Sequence, residues 1–368
     1  MTTIDRVTCT PSSVRLHTPF VTSLRRTETT DTVVVTITDS DGRTGWGEAP
    51  QVWQVTGESL AGATACIELM LAPAVRGRAL DDRDDLTAAA GAVQRAVARN
   101  FGAKAAVDAA LHDLLAQAEG TSVAAALATR RDGIPGVLTT DVTLSAGAPD
   151  ALADTARRRV AEGFTTLKMK VGTDASTDVQ RVAAVRDAVG PDTAIRLDAN
   201  QGWSREEAVQ VIRALEVAEV GVEFVEQPVV AEDVEGLAWV RERVGLPIMA
   251  DESCYGPYDL ERIIRLGAAD LVNVKLAKCG SLTVGRDMLR RAHDEGLRTI
   301  VGSMMESHIG VGAAAALVAA EPTTEVSDLD AAWWSVSSPV VGGIAYSANQ
   351  IRLPETAGFG ICGFATGG

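Results

Sequence analysis

The stretch Phe164–Gly172, FTTLKMKVG, decides how the chain is read. Its β-branched and apolar residues spell a short strand. The period of two puts Lys168 and Lys170 on one face, with Leu167 and Met169 on the other. Two neighbouring ammonium groups suit a solvated edge strand, and they equally suit a strand whose end opens into an active site. What recurs on either side of the stretch separates the two.

Short apolar runs near Val137, Thr166, Ile195, Val222, Ile248, Leu271, Thr299 and Thr324 follow one another about every 25 to 30 residues. Helical text fills the gaps. Ala231 to Gly245 (AEDVEGLAWVRERVG) and Ser281 to Gly296 (SLTVGRDMLRRAHDEG) each start on a polar residue and stop at glycine. This alternation predicts a parallel β/α barrel of the (β/α)7β kind, with little or no helix after the last strand. Upstream, Val33–Thr38, a turn at Asp39–Gly42 and TGWGEA predict an antiparallel hairpin. Ala- and Leu-rich helical text follows from about residue 61 to 128, so this first part is α+β. The expected division is residues 1–130 as a capping domain, 131–328 as the barrel and 329–368 as a hairpin-like segment returning to the cap.

Composition narrows the partners. With 368 residues, 46% of them hydrophobic, the chain has room for about two domains. Its 34 Lys and Arg against 49 Asp and Glu leave a formal charge of −15, which disfavours nucleic acid and anionic membranes, and no local basic patch offsets it. The cysteines Cys9, Cys66, Cys254, Cys279 and Cys362 show no CxxC pair and no ligand-like spacing to histidine, as expected of reduced thiols in a cytoplasmic protein. No signal peptide or membrane-spanning run is evident.

In a β/α barrel the active site lies at the C-terminal ends of the strands. The expected strands end in Lys168 and Lys170, then Asp198 and Asn200, Glu226 and Gln227, Asp251 and Glu252, Asn273 and Lys275, with Lys278 beyond. Asp198, Glu226 and Asp251 on three successive strands would repel one another unless a cation neutralised them, and an all-oxygen ligand set points to Mg²⁺ rather than zinc. Lys170 before these strands and Lys275 after them could then flank a substrate, one removing a proton from a carbon acid and the other returning it to the opposite face. Lys168 would lower its neighbour's pKa and could bond a substrate carboxylate. A purely structural role, lysines salt-bridged to acids, is the competing reading.

Together the motifs HTPFVTSLRRTE, GWGEAPQVWQVTGES, TLKMKVG, RLDANQGW, VEQP, MADES, NVKLAKCG, GSMMESHIG, SDLD and GFGI resemble the enolase superfamily, in its muconate-lactonizing group. The likeness is strongest to dipeptide epimerases of the L-Ala-D/L-Glu type and covers nearly the whole chain. It implies a capped, modified barrel, one Mg²⁺ at Asp198, Glu226 and Asp251, and acid/base lysines Lys170 and Lys275, the pairing general to that superfamily. It further implies that Asp328 and Asp330 hold a substrate α-ammonium group, that Arg25 in the capping loop meets a distal carboxylate, and that Thr143, Ser303, Met304 and Trp53 contact substrate. The implied reaction inverts the α-carbon of a dipeptide's C-terminal residue through an enediolate, in a homo-oligomer. N-acylamino acid racemisation, o-succinylbenzoate synthesis and β-elimination are the alternatives inside the superfamily; a catalytically silent barrel is the alternative outside it. The sequence departs from relatives at AAWW (Ala331–Trp334), at Trp53, and at Cys279 and Ser281, where only a structural consequence is expected. Gly310 and Gly312 fall in a helical pattern, which excludes a dinucleotide-binding loop, and His308 is a lone histidine near the barrel mouth.

Overall fold

The run Val33–Thr38 forms part of a long strand, Arg26–Asp39, paired antiparallel on one side with Ile4–Val21 and on the other with Thr44–Pro50. Val33, Val34 and Val35 are all fully buried, so both faces of this strand are covered. Val33, Val35 and Ile37 pack with the capping helices, while Val34 and Trp46 pack against Ile309 and Val340 of the rest of the molecule. The helix Phe101–Ala118 lies directly on the third strand. A Cβ at Gly47 would stand 1.8 Å from the Ala106 carbonyl oxygen, and one at Gly45 would stand 2.1 Å from that of Ala110, which is why this strand carries glycine on its helix-facing side.

The computed structural model describes residues 1–129 and 133–365. The expected domain boundary at residues 130 and 131 lies outside the described residues. The barrel sheet runs in sequence order through Val142–Leu144, Thr166–Lys170, Ala194–Asp198, Val222–Glu226, Ile248–Ala250, Leu271–Lys275 and Arg298–Gly302, all parallel. The period-two pattern of these strands is buried throughout, as expected when helices cover the outside and side chains fill the inside. Local signals set the helices. Ser204 and Glu207 form a capping box before Arg205–Val217, Ser281 caps Leu282–Asp294, and Gly267 ends Pro257–Leu266 in the left-handed conformation. The helix expected to reach Gly245 spans Val234–Arg241 instead, because Glu216 takes the Gly245 and Leu246 amides for a turn.

Two strand expectations are corrected. Around Val137 the chain makes two strands: Val137–Thr139 pairs antiparallel with Gln350–Arg352 of the C-terminal segment, and only Val142–Leu144 enters the barrel. Near Thr324 no full strand forms. The eighth position is filled by single bridges, Ser327 with Thr140 and Asp328 with Gly302, and this closes the barrel between its first and seventh strands. Asp328 N donates to Val301 O, and Ser303 N donates to Asp328 O. A short 3₁₀ turn, Ala331–Trp334, follows, in keeping with the missing last helix. The remaining tail pairs Val340–Gly342 with Ile361–Phe364, and Phe364 meets Trp46 of the cap edge-on. Among the described residues no helix is long and apolar enough to cross a membrane.

Candidate active site

The barrel register assembles the site. Lys170 lies opposite Asp198, Asp198 opposite Glu226, and Asp251 follows the fifth strand directly. The turns leaving the third and fourth strands hold Asn200, Gln201 and Gln227 at φ 43°, 68° and 38°, a left-handed conformation that costs about 1–3 kcal/mol for each non-glycine residue. Gln227 shows what holds them there: its Oε1 accepts from the Asp251 and Ser253 amides, and its carbonyl accepts from Gln201 N. The strain fixes the carboxylate-bearing strand ends relative to one another.

Charges are then paired across the barrel mouth. Lys170 Nζ donates to Asp198 Oδ2 at 2.6 Å, and Lys275 Nζ to Asp251 Oδ2 at 2.7 Å. Lys278 Nζ donates to the other Asp251 oxygen and to Asn273 O, while Asn273 Nδ2 donates to Glu226 Oε1 at 2.9 Å. Lys168 Nζ stands 3.0 Å from Asp198, 2.6 Å from Glu226 and 2.7 Å from Asp328. Burial would raise the Asp198 pKa, but Lys168 and Lys170 outweigh it and hold the group at about 2. For Asp251, burial is likewise overcome, by Lys275 and Lys278, and the carboxyl stays below the usual range. Burial, followed by repulsion from Asp198, pushes Glu226 up to about 7; burial and Asp251 push Glu252 to about 8. Burial opposes the charge on Lys275, yet Asp251 more than compensates and raises it above the ordinary lysine value.

Above this layer is a narrow pocket of about 60 Å³. It brings together Arg25, Thr143, Lys170, Lys275, Asp251, Ser303, Met304, Asp328 and Asp330. Asp198, Glu226 and Lys168 do not line it but lie beneath, buried. Lys168 is thus committed to protein carboxylates rather than free for a substrate carboxylate. Trp53 is also apart: it is 57% exposed and lines a neighbouring surface groove with Tyr255 and Tyr258. Asp330 Oδ2 accepts from Thr143 N at 2.7 Å and from Trp334 Nε1 at 3.0 Å, and burial, then Asp328, raises its pKa. Arg25 keeps some exposed surface, but protein surrounds its guanidinium and desolvation pulls it down to about 10, with no acidic partner offsetting this among the described residues. Sequence reasoning missed the apolar wall of Phe20, Leu24, Val52, Val55 and Met305. Its signal was present in HTPFVTSL and QVWQV, but apolar residues in loops carry no period to interpret.

Two family descriptions match nearly the whole chain: the N-terminal domain of mandelate racemase / muconate lactonizing enzyme over residues 4–127, and the enolase C-terminal domain-like family over residues 151–362. The chain belongs to this enolase-superfamily group. It is similar to L-Ala-D/L-Glu epimerase of Bacillus subtilis (38% identical over 98% of this chain and 97% of the relative), whose substrate-liganded structure superposes with a TM-score of 0.94 over 99% of each chain. It is similar too to the hydrophobic dipeptide epimerase of Enterococcus faecalis (37% identical, 97% of this chain and 99% of the relative). The structure of that enzyme with Mg and L-Leu-L-Tyr gives a TM-score of 0.92, covering 98% of this chain and 99% of the other. A more distant relative is the N-succinyl-L-Arg/Lys racemase of Bacillus cereus, 31% identical over 94% of this chain and 91% of its own.

Within the family frame, the departures find structural places. Trp333 packs edge-on against Phe164 and carries the Arg159 guanidinium 4.5 Å from its ring centre, while Trp334 packs on Phe20 and His17 and bonds Asp330. Ser281 serves as a helix cap and Cys279 is buried. Gly310 lies in the helix His308–Ala320, where Glu48 Oε2 accepts its amide; a Cβ there would collide with Glu306 and Glu48.

Among the described residues no three His, Cys, Asp or Glu side chains converge closely enough to hold a metal ion; lysine ammonium groups stand between the carboxylates instead. The donor chemistry nonetheless fits a hard divalent cation. The buried oxygens Glu252 Oε2 and Asn200 Oδ1 accept no hydrogen bond, and the candidate ligand atoms at the mouth are carboxylate and amide oxygens.

Proposed function

We propose that this chain is a Mg²⁺-dependent dipeptide epimerase that inverts the α-carbon of the C-terminal residue by two-lysine 1,1-proton transfer. The observation that carries this reading is the position of Lys170 and Lys275 at the ends of the second and sixth strands of an eight-position barrel, half a turn apart, both lining one pocket. A substrate carbon between them is reached by one ammonium nitrogen from each face. The lysine on one side takes the α-proton, and its opposite number delivers one to the other face.

Asp198, Glu226 and Asp251, at the ends of the third and fourth strands and just after the fifth, would hold Mg²⁺. Bound there, the ion would supply positive charge that stabilises the negative charge developing on the substrate. Asp328 and Asp330 would hold the dipeptide's α-ammonium group. Thr143 and Trp334 orient Asp330 for this through N–H donation, and Lys168 tethers Asp328. An N-acylated amino acid offers no ammonium to this pair of acids, which disfavours racemisation of such substrates. Arg25, lacking an acidic partner, would receive a side-chain carboxylate, so L-Ala-L-Glu-like dipeptides head the candidates. Phe20, Val52 and Val55, which line the pocket, would exclude water around the α-carbon.

The test is a panel of L,L-dipeptides in deuterated buffer with Mg²⁺, followed by mass spectrometry and chiral analysis. We expect one deuteron at the C-terminal residue's α-carbon together with D-epimer, both abolished by chelator and restored by Mg²⁺. Turnover that persists in excess chelator, or silence with every dipeptide, would contradict the proposal.

A further inference from the structure

The wall formed by Val52 and Val55 belongs to a loop, not to the barrel. Residues 52–57 fold back on themselves: the Val55 and Thr56 amides both donate to Val52 O, and Gly57 N donates to Trp53 O. These bonds shape the loop but do not attach it to the rest of the site. Its side chains do touch the barrel, since Val52, Ala277 and Met304 form a small buried cluster with Val55 against it, directly over the sixth and seventh strand ends. Such apolar contact is not directional and tolerates sliding. Among the described residues one hydrogen bond joins residues 52–57 to the barrel: Tyr255 Oη donates to Val55 O at 2.6 Å.

Tyr255 is built to make that bond. It sits in the loop leaving the fifth barrel strand, a few residues after Asp251 and Glu252. Asp259 Oδ2 accepts its amide at 2.9 Å, and its half-buried ring leans on Phe101 of the cap with centroids 6.2 Å apart. A rigid ring fixed at its base leaves the hydroxyl little choice of direction, so the phenol end reaches the loop carbonyl already aimed. We infer that Tyr255 is a positioning residue: its hydroxyl pins the capping loop so that Val52 and Val55 form the apolar wall of the substrate pocket. Because Tyr255 rides on the same loop as Asp251 and Glu252, this pin holds the wall in register with the carboxylates under it. The role of the wall in turnover rests on the dipeptide reading given above; the pin itself does not.

The test uses Tyr255→Phe in the full chain, which keeps the ring and removes only the hydroxyl. Two measurements separate the pin from the function. Hydrogen exchange of the substrate-free protein should show the Val55–Gly57 amides exchanging about fivefold faster, the effect of losing one neutral hydrogen bond. With the dipeptide turned over by the wild type, KM should rise by a similar factor of about five while kcat stays within about twofold, since the closed pocket becomes rarer but is chemically unchanged. Tyr258→Phe, altering a tyrosine that is 93% exposed, should move neither. Unchanged exchange in Tyr255→Phe overturns the pin. Faster exchange with unaltered KM, or a fall in kcat alone, overturns its role in shaping the pocket. If no dipeptide is turned over, the proposed function fails while the exchange result still decides the pin.

Discussion

Replacing Asp330 by asparagine isolates the charge proposed to hold the substrate ammonium. Thr143 N and Trp334 Nε1 both donate to Oδ2 of this residue, and the Thr143 hydroxyl bonds its carboxyl as well. Asparagine can present its single carbonyl oxygen to both, leaving its NH₂ where the second carboxylate oxygen faced the pocket. The fold keeps both N–H bonds, and a buried charge whose pKa is raised by burial and by Asp328 disappears, offsetting any weakening of the Thr143 hydroxyl bond, so thermal stability should change little. The substrate suffers instead: an acceptor becomes a donor pointing at an ammonium group. Breaking a buried ion pair on one side costs about 3–5 kcal/mol, or roughly two to four orders of magnitude in kcat/KM. Measured by α-deuterium incorporation, Asp330→Asn should therefore lose that much activity on a free-amine dipeptide. The N-acetyl form of the same dipeptide, poor to begin with, should lose less than about tenfold. Equal losses on both substrates, or a destabilised fold, would show that Asp330 serves Trp334 and Thr143 rather than the substrate.

Arg25→Met should raise KM selectively for dipeptides ending in Glu or Asp, by about tenfold or more, and spare those ending in apolar residues; a uniform loss would remove Arg25 from that role. Asp113 ties the cap to the tail, accepting from Trp46 N and Phe359 N, and burial pushes it up to about 6 despite those bonds. A folded-state pKa above the unfolded value of about 3.9 means that its favourable contribution is complete below pH 4 and lost as pH rises through 6. Relative to Asp113→Asn, the wild type should lose about 2 kcal/mol of stability between about pH 4 and 6.5, read from paired unfolding curves. A difference that stays flat across that window would contradict it.

What the sequence revealed and what it hid follow physical lines. Lys168, Lys170, Asp198, Glu226, Asp251 and Lys275 were legible because strand ends in a β/α barrel are fixed by short-range pattern, and polar residues closing apolar runs stand out. The eighth strand, expected from the run near Thr324, forms only as single bridges at Ser327 and Asp328, a reduction that the run itself does not signal. The run near Val137 misled because two short strands that pair into different sheets adjoin, with the break at Thr140, whose amide turns to Asn349 O. Lys168 could be placed on the right face, but not its burial beneath the pocket. That follows from carboxylates converging out of two other strands and the bridged eighth position. Trp53, expected at the substrate, faces a surface groove because an amphipathic indole suits either setting. Tyr255 escaped notice altogether, its partner being a backbone carbonyl 200 residues away in the chain.

The central claim is that Lys170 and Lys275 each serve one face of the α-carbon, and stereospecific exchange in the single mutants tests it most directly. Lys170→Ala and Lys275→Ala, each incubated in deuterated buffer with the two epimers of an active dipeptide separately, should both fail to interconvert them. Each should still exchange the α-proton of one epimer only, and the preferred epimer should be opposite in the two mutants. Exchange of both epimers by either mutant, or interconversion near the wild-type rate, would contradict the two-base account.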